Sequence, residues 1–146
     1  MKLSTTCRYG VRAVVDIAMY QKDSSVSISS ISKRQNISTK YLEYILNPLK
    51  KGGLLTSTRG LKGGYSLAKD ASLITPGDVV RLLDPEFIIV DCMTGDHGQK
   101  CKRISSCSTQ GLWKKLKEAL DSVLDSVTIQ DLASQQFDLN KLMKLI

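Results

Sequence analysis

Three helix-forming segments followed by two short β-forming runs restrict the folds open to the first part of this 146-residue chain. Residues 5–21, 27–35 and 39–51 carry apolar side chains at helical spacing. Ser38 stands where the third helix would need an N-cap, and Gly52 stands where it would end. The third segment has the clearest apolar stripe, which consists of Leu42, Ile45, Leu46 and Leu49.

The two β-forming runs, residues 54–58 and 65–68, are joined by the glycine-rich residues 59–64. Glycine adopts the positive φ values that a tight hairpin turn requires. Three helices followed by a hairpin is the order of elements in a winged helix-turn-helix. We therefore predict a mainly α fold with a small β-hairpin wing.

The positive charge of the chain lies entirely in its first part. The net charge is +7; residues 1–84 contain 13 Lys/Arg and 6 Asp/Glu, whereas residues 85–146 contain 8 of each. Such asymmetry favours an anionic partner for the first part, and we expect double-stranded DNA.

In a helix-turn-helix the second helix of the pair lies in the major groove, and its first residues reach the base edges. The polar face of the segment that starts at Ser38 supplies the candidate DNA-binding residues Ser38, Thr39, Lys40 and Glu43. A carboxylate near phosphates needs a specific donor, so we expect Glu43 to set sequence preference by accepting from a cytosine amine. On the wing, Arg59 and Lys62 are candidates for a narrow minor groove.

The second part of the chain contains a long stretch without hydrophobic period. Thr75, Pro76 and Asp78 predict a capped helix that runs to about residue 83. Residues 84–110 then show no period, and a loop of this length needs a reason such as metal binding. The helical period returns at residue 111 with a long apolar stripe that includes Trp113, Leu116, Leu120 and Leu124.

Three cysteines, Cys92, Cys101 and Cys107, lie in the aperiodic stretch with eight and then five residues between them. Thiolates are soft ligands for iron–sulfur clusters, zinc or copper(I). Zinc sites usually contain paired C-x-x-C knuckles, which this chain lacks, so the spacing favours a cluster.

Composition excludes several other classes of protein. With 42% apolar residues the chain can bury a core, and no apolar run approaches the ~20 residues of a membrane span. The N-terminal residues lack an apolar signal region, so we expect a cytoplasmic protein. One histidine, and no nucleophile–base arrangement, argue against an enzyme.

These residues resemble a known family. The segments MKLSTTCRYGVRAVVDIA, ISTKYLEYILNPLKKGGLL, STRGLKGGYSLAKD, ITPGDVVRLLD and LWKKLKEALDSVLDSVTIQDLAS are similar to winged-helix transcription factors of the IscR, NsrR and CymR family. The RG-x-x-GGY wing and the closing T-I-x-D-L-A are distinctive together. The resemblance covers roughly residues 1–134.

The resemblance implies an iron–sulfur-sensing regulator, most similar to IscR, that represses transcription. It implies a homodimer on a palindromic operator, paired through Trp113, Leu116, Leu120 and Leu124, with neither a membrane nor a small-molecule substrate as partner. The cluster would be held by Cys92, Cys101 and Cys107; we favour [2Fe–2S] over [4Fe–4S], and both types stay open. The resulting division is a DNA-binding domain (1–84), a cluster-binding loop (85–110), a dimerisation helix with a short following helix (111–134), and a tail (135–146).

The fourth cluster ligand stays open. IscR-type proteins use a histidine where this chain has Gln110, and NsrR-type proteins use an acidic residue of the partner subunit where this chain has Arg8. The remaining candidates are Cys7, His97 and Gln110, or an external thiol or water. Cys7 is one residue from the family position, which turns its side chain by ~100° around the helix.

The physiological signal also stays open. The placement of the cysteines and Glu43 is most similar to IscR, and this resemblance implies control of iron–sulfur cluster assembly genes. Basic residues around Cys101 keep a metal-free thiol switch as an alternative. Regulators of nitric oxide response or cysteine metabolism share the same fold within this family.

Overall fold

The computed structural model describes residues 3–22, 24–85, 87, 90 and 101–134. Its helices and strands are α1 (Thr5–Tyr20), α2 (Ile28–Gln35), α3 (Thr39–Lys51), β1 (Leu55–Thr58), β2 (Gly64–Leu67), α4 (Pro76–Leu83), α5 (Gln110–Ser126) and α6 (Ile129–Ala133). Short 3₁₀ turns lie at Ala71–Leu73 and Ile104–Ser106. The predicted fold, mainly helical with a two-stranded hairpin, is confirmed.

Polar side chains cap the starts of α3, α4 and α6, the first two at the residues that the sequence predicts. Ser38 accepts a hydrogen bond from the amide of Tyr41, which satisfies one of the unpaired donors at the start of α3. Thr75 and Asp78 form a reciprocal capping box at α4, and Thr128 and Asp131 form another at α6. These local signals fix the starts of three helices.

The hairpin is antiparallel and pairs Leu55 with Leu67 through to Thr58 with Gly64. Strand β1 begins one residue later than the predicted run and ends where predicted, whereas β2 begins and ends one residue earlier than predicted. Val26, just before α2, forms a further β-bridge with Tyr65. A side chain at Gly64 would collide with the backbone of Val26, so this close approach requires glycine.

The core lies between α1, α3, α4 and the hairpin. The predicted stripe of α3 is confirmed, because all four of its apolar side chains have no exposed surface. Ile129 of α6 is equally buried in the same core, and its amide donates to the carbonyl of Ile74 over 2.8 Å. We call residues 3–83 the N-terminal body, and α6 packs on it.

Two helices depart from simple rules. Pro48 lies inside α3, yet the helix continues to Lys51. In contrast to α3, none of the 17 residues of α5 is buried in the described part of the chain. No helix within the described ranges has both the length and the apolar composition to cross a membrane.

Candidate nucleic-acid interface and cysteine segment

The predicted DNA-binding residues of α3 lie together on its solvent side. Ser38, Thr39, Lys40 and Glu43 are all exposed, on the side of the helix opposite the buried stripe. The first two turns of α3 therefore present hydroxyls, an ammonium and a carboxylate to solvent. This is the part of a recognition helix that reaches base edges.

The wing lies close to this face. Arg59 and Lys62 are exposed at the hairpin turn, where Gly60 has a φ of 110°. The Ser25 hydroxyl donates to the Lys62 carbonyl over 3.0 Å, which fastens the turn to the loop before α2. Partial burial, and then the negative charge of Glu43, raise the pKa of Tyr65 on β2, so Glu43 is near the wing as well as the helix start.

A row of three tyrosines, which was not predicted from the sequence, lies beside the start of α3. Tyr44 is 65% exposed and stacks on Tyr41, with ring centroids 5.9 Å apart and 11° between the ring planes. Tyr41 in turn meets the ring of Tyr9 edge-on at 6.0 Å. The only signal in the sequence was the position of Tyr44 next to Glu43, away from the apolar stripe.

A buried charge that the sequence did not reveal fixes α2 to α1. Asp16 is 1% exposed and accepts from Arg34 Nη2 at 2.7 Å, from Arg34 Nε at 3.0 Å and from Gln35 Nε2 at 2.8 Å. The Arg34 guanidinium also lies 4.0 Å from the centroid of the Tyr20 ring. Because α2 leads directly into α3, this network sets the orientation of the candidate recognition helix.

A second polar cluster joins α4 to α5. Asp125 of α5 accepts from Arg81 Nη2 at 2.8 Å and from the Thr75 hydroxyl at 3.2 Å. Arg81 also pairs with Asp78 at 3.2 Å. Partial burial alone would raise the pKa of Asp78, but the Thr75 amide and the Arg81 guanidinium together lower it below its usual value.

The cysteine segment (residues 85–110) is described only in part. Cys101 and Cys107 are half-buried free thiols on either side of the 3₁₀ turn Ile104–Ser106. The Thr109 hydroxyl lies 3.3 Å from Cys107 Sγ, and hydrogen bonding from Thr109, with a smaller effect of Arg103, lowers the pKa of this thiol. Cys92 and the candidate ligand His97 lie outside the described residues.

The two other candidate fourth ligands have opposite environments. Cys7 on α1 has no exposed surface, and burial raises the pKa of its thiol. Gln110 is exposed as the first residue of α5. Within the described ranges no three His, Cys, Asp or Glu side chains come together as a metal site, and those ranges do not include Cys92.

The apolar stripe of α5 is only half covered. The predicted dimerisation residues are each partly exposed to solvent: Trp113, Leu116, Leu120 and Leu124. Charged side chains such as Lys114 and Glu118 are exposed elsewhere on the helix. The helix is amphipathic, and in the described structure its apolar side is incompletely packed.

The geometry agrees with comparisons to known proteins. The Rrf2 family, described as iron-dependent transcriptional regulators, matches residues 3–135. The chain belongs to the Rrf2 family. It is therefore a transcriptional regulator with a DNA-binding winged helix rather than an enzyme.

Individual relatives agree with the family. Protein rrf2 of Nitratidesulfovibrio vulgaris is 42% identical over 90% of this chain and 87% of its own length. The HTH-type transcriptional regulator IscR of Yersinia pseudotuberculosis is 39% identical over 93% and 81%, respectively. The structure of CymR, the global cysteine regulator of B. subtilis, superposes with a TM-score of 0.74 at 34% identity, over 94% of this chain and 99% of CymR.

Proposed function

We propose that this Rrf2 protein is an iron–sulfur-sensing repressor that binds palindromic operator DNA as a homodimer and controls iron–sulfur cluster assembly genes. The observation that carries the proposal is the place of the cysteine segment in the chain. It connects α4, which packs in the N-terminal body, to α5, whose apolar stripe is half exposed. Ligand binding in that segment can therefore act on both the DNA-binding unit and the dimer helix.

The donor atoms fit a soft metal centre. Cys101 and Cys107 are reduced, accessible thiols, and hydrogen bonding favours the thiolate of Cys107, which is the form that binds metal. In the proposed site Cys92, Cys101 and Cys107 hold the cluster, [2Fe–2S] rather than [4Fe–4S]. A bound cluster would supply a redox-active group whose loss alters the segment.

The fourth ligand is left among three residues. Use of Cys7 requires its buried thiol to become accessible, whereas Gln110 is exposed but is a weak ligand for iron. His97 has the donor atom that iron commonly accepts. Substitution of each residue, with the cluster spectrum as readout, distinguishes them.

The DNA-binding part of the proposal uses the exposed face of α3 and the wing. Ser38, Thr39 and Lys40 bind phosphates or base edges in the major groove. The carboxylate of Glu43 accepts a hydrogen bond from the amine of a cytosine and so selects that base. Arg59 and Lys62 bind the adjacent minor groove. All six side chains are exposed and available for these contacts.

The dimer part of the proposal rests on α5. Two copies of its half-exposed stripe would cover each other, burying Trp113, Leu116, Leu120 and Leu124. The proposed division is then a DNA-binding domain (1–84), a cluster-binding loop (85–110), a dimerisation helix with the following helix (111–134), and a tail (135–146). Asp125 of the dimer helix accepts hydrogen bonds from Arg81 and Thr75, and these bonds connect the dimer helix to the DNA-binding domain.

The test is the visible spectrum of protein purified without oxygen, with counts of iron and sulfide. We expect a charge-transfer band that disappears in Cys92→Ala, Cys101→Ala and Cys107→Ala. The control Ser108→Ala, an exposed residue of the same segment, should keep the band. Operator affinity of the cluster-loaded and cluster-free forms is then measured by fluorescence anisotropy, and equal affinities would contradict cluster sensing.

A metal-free thiol switch is the second candidate, in a regulator of cysteine metabolism or nitric oxide response. Two observations favour it: the similarity to the cysteine regulator CymR and the lowered pKa of the Cys107 thiol. A colourless, iron-free protein that reconstitution cannot load would support this candidate. Oxidant should then change operator affinity in the wild type but not in Cys107→Ala.

A further inference from the structure

An open concavity lies beside the start of α3, on the face that the proposed function turns toward DNA. Its volume is about 380 Å³, and it is lined by Ser38, Lys40, Tyr41 and Tyr44. Two of the four lining side chains are aromatic, although the surrounding face is polar and charged. Tyr44, at 65% exposure, offers the concavity an uncovered ring.

The ring of Tyr44 has a defined neighbour that orients it. Tyr44 stacks on Tyr41, and the Tyr41 hydroxyl lies 2.9 Å from the Thr6 hydroxyl of α1. Tyr9, also on α1, supports Tyr41 from the edge. The ring of Tyr44 is thus supported from α1 through Tyr41, and this contact favours one orientation of the ring before a ligand binds.

The chemistry of the major groove indicates what such a ring would contact. Base edges there present hydrogen-bond donors and acceptors, and the principal apolar group among them is the C5 methyl of thymine. Tyr44 lies in the second turn of α3, next to Glu43 and one turn after Lys40. Lys40 attracts phosphate to the same concavity, which favours DNA over an apolar protein surface as the occupant.

We propose that the ring of Tyr44, positioned by Tyr41, packs on the C5 methyl of a thymine in the operator and adds a thymine preference beside the base read by Glu43. The inference rests on the proposed operator binding. Tyr44 is a specificity-determining residue in this account, and its contribution is independent of the cysteine segment.

The first experiment selects binding sites from random duplex DNA with the wild type, Tyr44→Phe and Tyr44→Ala in parallel. We expect the wild type and Tyr44→Phe to enrich thymine at one position of the site, because both keep the ring. Tyr44→Ala should lose that preference and keep the rest of the site. Leu73→Ala, which removes another exposed apolar side chain on the 3₁₀ turn Ala71–Leu73 rather than on α3, should select the wild-type site.

The second experiment replaces that thymine with deoxyuridine, which removes only the methyl group. Loss of the contact should weaken binding of the wild type and Tyr44→Phe about fourfold per methyl, the equivalent of about 0.8 kcal/mol. Binding of Tyr44→Ala should be unaffected by the same replacement. A role of Tyr44 in folding alone would not produce this dependence on a methyl group of the DNA.

The outcomes separate the two proposals. An equal deoxyuridine effect in the wild type and Tyr44→Ala overturns the thymine contact and leaves operator binding intact. Failure of the wild type to enrich any sequence overturns operator binding, and the thymine contact with it. If Tyr44→Ala does not fold, Tyr44→Gln replaces it, since glutamine forms helix readily but has no ring.

Discussion

Helices α3 and α5 carry similar apolar stripes but are packed very differently. In α3, of 13 residues, the stripe is fully buried against the N-terminal body. In α5, of 17 residues, the stripe contacts the described part of the chain without burying any residue. A similar apolar stripe is therefore completely buried in α3 and remains partly exposed in α5.

The difference shows how the two regions obtain their stability. The N-terminal body supplies its own packing contacts, and its buried Asp16 is paired with Arg34 at the surface. Helix α5 is held at one end by the hydrogen bonds of Asp125. The rest of its stability depends on whatever surface covers its apolar stripe. Substitutions in the first region should change unfolding, whereas substitutions in the second should change association.

The largest effect should come from the ion pair between the buried Asp16 and Arg34. Arg34→Ala leaves the Asp16 carboxylate buried with Gln35 as its remaining partner among the bonds described above. Removing the partner of a buried charge costs about 3–5 kcal/mol; because the Arg34 side chain is itself 29% exposed, we expect the lower end, a loss of about 3 kcal/mol in the free energy of unfolding. Urea denaturation followed by circular dichroism measures it. Lys33→Ala, at the exposed neighbouring position, should change stability by less than about 0.5 kcal/mol.

The next largest effect should be the weakening of the proposed dimer by a charge placed in the stripe of α5. Leu120→Asp places a charge in the half-exposed stripe of α5, and we expect the dimer dissociation constant to rise about 30-fold or more, or about 2 kcal/mol. Sedimentation equilibrium measures the constant. Ser122→Asp adds the same charge to the far side of the helix and should leave it unchanged. Equal weakening by both variants would argue against pairing through this stripe.

The smallest effect should appear where the two regions meet, and it should depend on pH. The lowered pKa of Asp78 means that its charge stabilises the folded state above the ordinary carboxyl pKa of 3.8, and that this stabilisation disappears as pH falls through the lower folded value. Asp78→Asn should therefore cost about 1 kcal/mol at pH 7 and progressively less below pH 3.8. Thermal unfolding at several pH values measures it; a deficit that is constant down to pH 3 would contradict the assignment.

Local signals made most of the fold predictable. Ser38 and Thr75 each stand just before a helical period, and the side-chain oxygen of each accepts a hydrogen bond from an otherwise unpaired amide of the first turn. The glycines between the two β-forming runs predicted the hairpin for an equally local reason. The exposed positions of Lys40 and Glu43 followed from the period of α3 alone.

Features that depend on distant partners were not predictable. Asp16 lies 18 residues from Arg34, and nothing in its local sequence shows that it is buried and paired. The use of Ile129 in the core depends on a contact between the first and last described helices. Tyr44 was missed because an aromatic residue in a helix fits either a core or a surface, and only packing decides between them.

The burial of Ile129 has a consequence for the order in which the protein is made. Its side chain completes a core whose other members lie between Ala13 and Val79, so that core stays open during synthesis until the chain beyond residue 129 has left the ribosome. A nascent chain that stops before α6 would expose apolar surface of α1 to solvent. Stalled or truncated chains that lack α6 are therefore expected to bind chaperones, and DNA-binding competence is expected to arise only after α6 has been made.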